Sequence, residues 1–234
     1  GPLPSPVRGG AVAMRALIVG GSPHAASPEL VARLSAGADA VVAVDRGLDA
    51  LLAAGLGCDL FCGDADSVSD AGAVLVSAAE AGEHAVSGSV AVGEVERYDP
   101  HKDDTDLGLA LRALGERWPR ASLACTCMSG GKPDHALAVM GRLATWGGTV
   151  AIEEDCFSAR ILHAGGTWVI KDRDGARFSF VPLSAEAVVS ESGMEWTLDR
   201  KRVPLLSDLG ISNVLRSDAR ITCHEGMLAA YVFA

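Results

Sequence analysis

The chain has 234 residues, 49% of them apolar and 5% aromatic, which is room for one large domain or two modest ones with a sizeable core. Asp and Glu number 30 against 20 Lys and Arg, a net charge of −10 that argues against a general nucleic-acid or anionic-membrane binder. No run approaches the ~20 apolar residues of a membrane span, and the six cysteines, none in a Cys-x-x-Cys pair, read as small thiols in a reduced, cytoplasmic setting.

Residues 1–13, rich in Gly and Pro, read as a tag remnant or a loose arm, with the first domain beginning near Met14. An apolar run over 15–19 ends at Gly20-Gly21-Ser22-Pro23 and predicts a buried first strand. A helix over 28–34 follows, with Ser27 as its cap and Pro28 in its first turn. Residues 40–44 form a second buried strand with Asp45-Arg46-Gly47 at its end, and 48–54 a helix stopped by Gly55. Leu60-Phe61-Cys62 is a third strand. It runs into Gly63-Asp64-Ala65-Asp66-Ser67, where two carboxylates two residues apart would share a strand face. That pair suits a hard cation, and equally a Gly-Asp turn leading to the next helix over 70–81.

Between 82 and 96 the pattern weakens, with short strands possible at 84–86 and 90–92. Lys102-Asp103-Asp104-Thr105-Asp106 then precedes a helix starting near Asp104, which would put Asp103 and Asp106 on one face; an acidic first turn complementing the helix dipole explains the same residues. A buried strand over 121–128 enters Ser129-Gly130-Gly131-Lys132-Pro133-Asp134-His135 and a helix over 135–146. Two glycines and a lysine before a helix can face a phosphate, although the spacing is not that of a Walker A loop. Residues 149–152 read as the last strand of this layer.

Strand–helix alternation with continuously apolar strands predicts a Rossmann-like, mostly parallel sheet over 14–156. In such sheets ligands bind beyond the carboxyl ends of the strands, where Gly20, Asp45 and the Asp64–Asp66 pair all fall. Beyond about 156 the texture changes to short runs at 160–163, 167–171, 177–181, 187–190, 195–198, 220–223 and 228–233, with Asp172-Arg173-Asp174-Gly175 as a hairpin turn. A second, all-β sandwich domain over 157–234 is expected.

Taken in order, the motifs resemble the thiamine pyrophosphokinase family: Asp45-x-Gly47, Gly63-Asp64-Ala65-Asp66-Ser67, Lys102-Asp103-Asp104-Thr105-Asp106, Gly130-Gly131-Lys132-Pro133-Asp134-His135, Gly193-Met194-Glu195-Trp196-Thr197-Leu198 and Gly210-Ile211-Ser212-Asn213. The resemblance implies an α/β catalytic domain followed by a β-sandwich, a homodimer with thiamine bound where the protomers meet, and transfer of a diphosphate from ATP to the hydroxyethyl group of thiamine. It implies Mg²⁺ on Asp64, Asp66 and Asp106, phosphate contacts from Lys102 and Lys132, and ATP contacts from Ser22, Asp45 and Thr105. Asp103 and Asp134 would orient substrate, and either could accept the hydroxyl proton. Ser212 and Asn213 would hydrogen-bond the aminopyrimidine. Trp196 would either stack on a thiamine ring or sit in the sandwich core. His135 would order the loop rather than act as a base. Three positions depart from the family pattern: Arg46 in place of glycine, Gly108 in place of a Glu, and Lys132 in place of an Arg, which loses a bidentate fork but keeps a cation. The alternatives are a pyrophosphokinase for another alcohol such as a pterin, or a non-catalytic thiamine- or nucleotide-binding protein.

Overall fold

A computed structural model of the chain describes residues 14–83, 90–97 and 105–234. The N-terminal arm, the possible strand at 84–86, and Lys102 and Asp103 lie outside the described residues. The chain divides into two compact units, one ending at Gly148 and one beginning at Thr149.

In the first unit, β1 (Arg15–Val19), β2 (Ala40–Val44), β3 (Cys58–Gly63), β4 (Val92–Arg97) and β5 (Ser122–Thr126) form a parallel sheet in the order β5-β1-β2-β3-β4. The four apolar strands were legible as such. β4 was not, because Val92-Gly93-Glu94-Val95-Glu96-Arg97 is polar and lies at the end of this order, where one side of the strand needs no apolar neighbour. Helices α1 (Pro28–Ala36), α2 (Gly47–Ala53), α3 (Asp70–Glu80), α4 (Asp106–Arg117) and α5 (Pro133–Ala144) connect the strands.

Local chemistry sets the helix ends. Ser27 caps α1, its Oγ accepting from Leu30 N, and Pro28 opens the first turn without sacrificing a needed donor. Thr105 caps α4 by accepting from Gly108 N at 3.1 Å. The helix therefore begins at Asp106, two residues later than the spacing predicts, because the capping hydroxyl fixes an extended backbone at Thr105. Leu17, Val19, Val31, Leu48, Leu51 and Phe61 are buried together in the core between sheet and helices.

In the second unit, β6 (Val150–Glu154) pairs antiparallel with β7 (Phe157–His163). The order β6-β7-β13-β9 continues with β13 (Met227–Phe233) and β9 (Arg177–Pro182), all antiparallel. A second sheet holds β11 (Leu198–Pro204), β10 (Glu186–Met194), β12 (Asn213–Glu225) and β8 (Thr167–Ile170). The long β12 serves both sheets, pairing with β9 at Asn213–Val214 and with β8 at Ala219–Thr222, and so forms a corner of the sandwich. Phe178, Phe180, Val189, Leu215, Ile221 and Leu228 fill the space between the sheets.

Asp172–Gly175 is not a hairpin turn, because β8 pairs with β12 and β9 with β13 and β12; the segment carries the chain from one sheet to the other. Residues 195–198 are not a strand, because Glu195–Thr197 lie between β10 and β11 and only Leu198 starts a strand. That turn carries Trp196.

Candidate active site

Because β1, β2, β3 and β5 are parallel, their carboxyl ends share one edge. A cleft of about 970 Å³ opens there. It is lined by Ser22 from the β1–α1 loop, Asp45 after β2, Thr105 and Asp106 at the start of α4, and Lys132 and Asp134 at the start of α5. Six of the residues singled out from sequence are thus brought to one cleft. His135 also lines it and is exposed.

Asp45 sits at the centre of the charge problem. Its backbone is left-handed, at φ 47°, and its N–H donates to Cys62 O at 3.1 Å. Its Oδ1 is buried with no hydrogen-bond partner among the described residues. Burial, then hydrogen bonding and repulsion from Asp106, then repulsion from Asp64, push its carboxyl up to about 8. Three acidic side chains thus crowd together, a state that an added positive charge relieves. Gly63 makes the approach possible: a Cβ there would stand 2.1 Å from Asp45 Oδ1, on a backbone with φ 144° that side chains rarely adopt.

The Asp64–Ser69 turn is exposed but tied down. Asp64 Oδ1 accepts from Asp66 N at 2.9 Å, an Asx turn that fixes the pair's mutual orientation. Arg97, paired with Gly63 across β4 and β3, donates to the carbonyl of Asp64 and holds the Glu80 carboxylate through two nitrogens, at 2.5 and 2.8 Å. Arg46 Nε donates to Ser67 O at 3.4 Å, and Asp49 accepts from the backbone and hydroxyl of Ser69. The arginine that replaces the family's glycine therefore braces this turn. Neither Asp64 nor Asp66 is among the residues lining the cleft; Asp64 bears on it by the repulsion it exerts on Asp45.

In the lining of the same cleft, Gly130 and Gly131 adopt φ of 97° and 74°, and Lys132 precedes α5 with no side-chain cap on the helix. The open N–H groups and the lysine face the cleft as an anion site would require. Ser22 links the two loops at this edge, its hydroxyl donating to Ser129 O and accepting from His24 N at 3.2 Å.

Among the described residues no three His, Cys, Asp or Glu side chains stand together as a closed ligand set. Mg²⁺ does not need one: it is commonly held by one or two carboxylates, with waters and phosphate oxygens completing the shell. The oxygen donors and the orphaned, crowded carboxyl suit such an ion.

In the second unit Trp196 is 58% exposed, which rules out the core position. Asn213 is buried, and its amide is used within the protein: Oδ1 accepts from Trp196 N at 3.1 Å and Val214 N at 2.9 Å, and Nδ2 donates to Trp196 O at 2.8 Å and Glu191 Oε2 at 3.2 Å. Ser212 is exposed with φ 65°, and its N–H donates to Ser179 Oγ at 3.0 Å. Arg97, Asp49 and Glu191 carried no sequence signal, since each acts through a contact made only by strand pairing or by a loop folding back.

An α/β unit whose sheet-edge cleft is lined by carboxylates and a glycine-lysine loop, followed by a β-sandwich, defines a class of two-unit proteins. The thiamin pyrophosphokinase catalytic domain matches residues 31–151 and the thiamin pyrophosphokinase vitamin B1 binding domain matches residues 168–228. The chain belongs to the thiamin pyrophosphokinase family. Its fold is that of the thiamine pyrophosphokinase from Bacillus subtilis (24% identity, TM-score 0.71, 94% of this chain and 99% of that one). It is similar also to the thiamin pyrophosphokinase from Geobacillus thermodenitrificans (26%, 0.70, 94% and 98%) and to the yeast enzyme (12%, 0.72, 96% and 88%). Curated protein sequences give no match. Among the described residues no helix is long and apolar enough to cross a membrane.

Proposed function

We propose that the chain is a thiamine diphosphokinase, transferring a diphosphate from ATP to the hydroxyethyl oxygen of thiamine and releasing AMP. The observation that carries this reading is the crowding of Asp45 by Asp106 and Asp64 in a cleft that also presents Gly130, Gly131 and Lys132. Such a cleft supplies the two things phosphoryl transfer needs, charge neutralisation and positioning. Asp64, Asp66 and Asp106 would hold Mg²⁺, which when bound offsets phosphate charge and fixes phosphate oxygens. Lys132 and the first N–H groups of α5 would take phosphate oxygens of ATP, with Ser22, Asp45 and Thr105 beside the nucleotide. Asp134, at the mouth of the same cleft, is the described carboxylate available to orient or deprotonate the acceptor hydroxyl. Lys102 and Asp103 keep the roles that the motif implies, as phosphate contact and substrate-orienting acid. In the second unit Trp196 is exposed for ring stacking, Ser212 is exposed just before β12, and Asn213 holds the Trp196 backbone.

The vitamin B1 binding domain of the second unit favours thiamine over a pterin, and the carboxylate cluster favours turnover over binding alone. We propose further a cytoplasmic homodimer: the six cysteines form no disulfide within the chain, and Leu205, Leu206, Leu209 and Ile211, about half exposed within one short segment, want a cover. Incubation of the chain with ATP and Mg²⁺, with thiamine in one arm and hydroxymethylpterin in the other, tests the reading. AMP is expected with thiamine only. AMP formation with the pterin alone would move the assignment to the other acceptor, and thiamine binding without AMP would leave a sensor.

A further inference from the structure

Glu191 is the least expected group in the second unit. It lies in β10, whose other buried positions are apolar, and it is 4% exposed. No cation pairs with it among the described residues. Its Oε1 has no hydrogen-bond partner there, and burial pushes its carboxyl up to about 7. A lone buried carboxyl is costly, and an apolar side chain of the same size would pack without that cost. Its retention asks for a reason elsewhere than stability.

The reason lies in what its other oxygen touches. Glu191 Oε2 accepts from Asn213 Nδ2 at 3.2 Å. The same amide grips the Trp196 backbone at two points, accepting from its N–H and donating to its carbonyl. An amide can be placed either way round, and only one way makes both contacts. Glu191 Oε2 is the acceptor at this contact, so Glu191 beside Nδ2 supports the amide orientation in which nitrogen faces Trp196 O and oxygen faces Trp196 N. The clamped residue carries an indole that is 58% exposed. A long apolar ring held out in solvent gains its fixed direction from the backbone beneath it.

We propose that Glu191 is a positioning residue for ligand recognition: through the Asn213 amide it fixes the Trp196 turn, and with it the indole face offered to a planar heterocycle. This rests on the reading that Trp196 meets thiamine. What Glu191 supplies is an acceptor at a fixed place, so a glutamine, whose carbonyl can accept from Asn213, substitutes for it, whereas a methionine of similar length does not.

The test compares Glu191→Met and Glu191→Gln with the unmodified chain. For Glu191→Met the KM for thiamine should rise about tenfold while the KM for ATP and kcat at saturating thiamine stay within about twofold. Glu191→Gln should keep the thiamine KM within about twofold. Acrylamide quenching and anisotropy of the Trp196 emission, taken as the difference from a Trp196→Phe counterpart, should report a more mobile indole in Glu191→Met and an unchanged one in Glu191→Gln. A thiamine KM unchanged in Glu191→Met overturns the proposal, as does an equal loss in both substrates, which would mark general damage. A tenfold rise in Glu191→Gln, measurable even if the methionine variant fails to fold, also overturns it. Should the unmodified chain not use thiamine at all, the functional reading fails by itself. The fluorescence comparison then decides the proposal alone, with an immobile Trp196 in Glu191→Met counting against it.

Discussion

Gly63 and Asp45 meet where two strands of the parallel sheet end, and the contact leaves no room for a methyl group. Gly63→Ala must displace the Asp45 carboxyl from 2.1 Å and hold a side chain at φ 144°. The expected cost is roughly 1–3 kcal/mol of stability, together with a loss of turnover of about tenfold or more, read by urea denaturation and by AMP release. Unchanged values in both would mean that the loop relaxes without disturbing the carboxylates. Glu191 gives a pH-dependent case. Its folded-state carboxyl titrates at about 7, above the ordinary 4.5, so the folded chain holds a proton that the unfolded chain releases. Stability from this group is full below about 4.5 and is lost as pH rises through about 7. Glu191→Gln should therefore raise stability by up to about 3 kcal/mol near pH 8.5 and change little near pH 4, by denaturant midpoints; equal effects at both would contradict the buried titration. At this scale the sequence shows carboxylates well, because two acids after an apolar strand stand out. It does not show Glu191, which is one acid in an otherwise alternating strand until its surroundings are known.

The elements around the site explain how exposed acids are held in place. Arg97 is tied to the Asp64 turn by strand register, since β3 and β4 pair Gly63 with Arg97. Its fork joins the Asp64 carbonyl to Glu80 at the last turn of α3. As its side chain is 41% exposed, Arg97→Ala should cost under about 1 kcal/mol of stability. It should nevertheless raise the Mg²⁺ concentration for half-maximal activity several-fold by loosening the turn. A titration of activity and of Mn²⁺ binding checks this, and unchanged metal dependence would mean that the Asx turn suffices. Thr105→Ala removes the cap of α4 and should lower stability by about 1 kcal/mol, measured by thermal melting. Elements were legible where burial writes a pattern, as in the apolar runs of β1, β2, β3 and β5. β11 was missed because Leu198-Asp199-Arg200-Lys201-Arg202-Val203-Pro204 is an edge strand with almost every side chain in solvent. β12 was read only over its apolar end, since Arg216, Ser217 and Asp218 interrupt it with exposed polar residues as it passes between the two sheets.

At the level of the whole molecule, the change from strand–helix alternation to short strands was enough to separate two architectures, and the ordered motifs enough to name a family. The sequence brought Gly20, Asp45 and the Asp64–Asp66 pair to one sheet edge; it could not supply which motif residues line the cleft, Asp45 with Asp106 and Lys132 but not Asp64 or Asp66, because that depends on how the loops fold back. Sedimentation equilibrium should give twice the 24.0 kDa chain mass; a monomer at all concentrations would contradict the homodimer. With ATP labelled at the β-phosphorus, thiamine and Mg²⁺, label should appear in thiamine diphosphate beside an equal amount of unlabelled AMP. Label retained in ADP beside thiamine monophosphate, or no thiamine product at all, would contradict diphosphate transfer to thiamine.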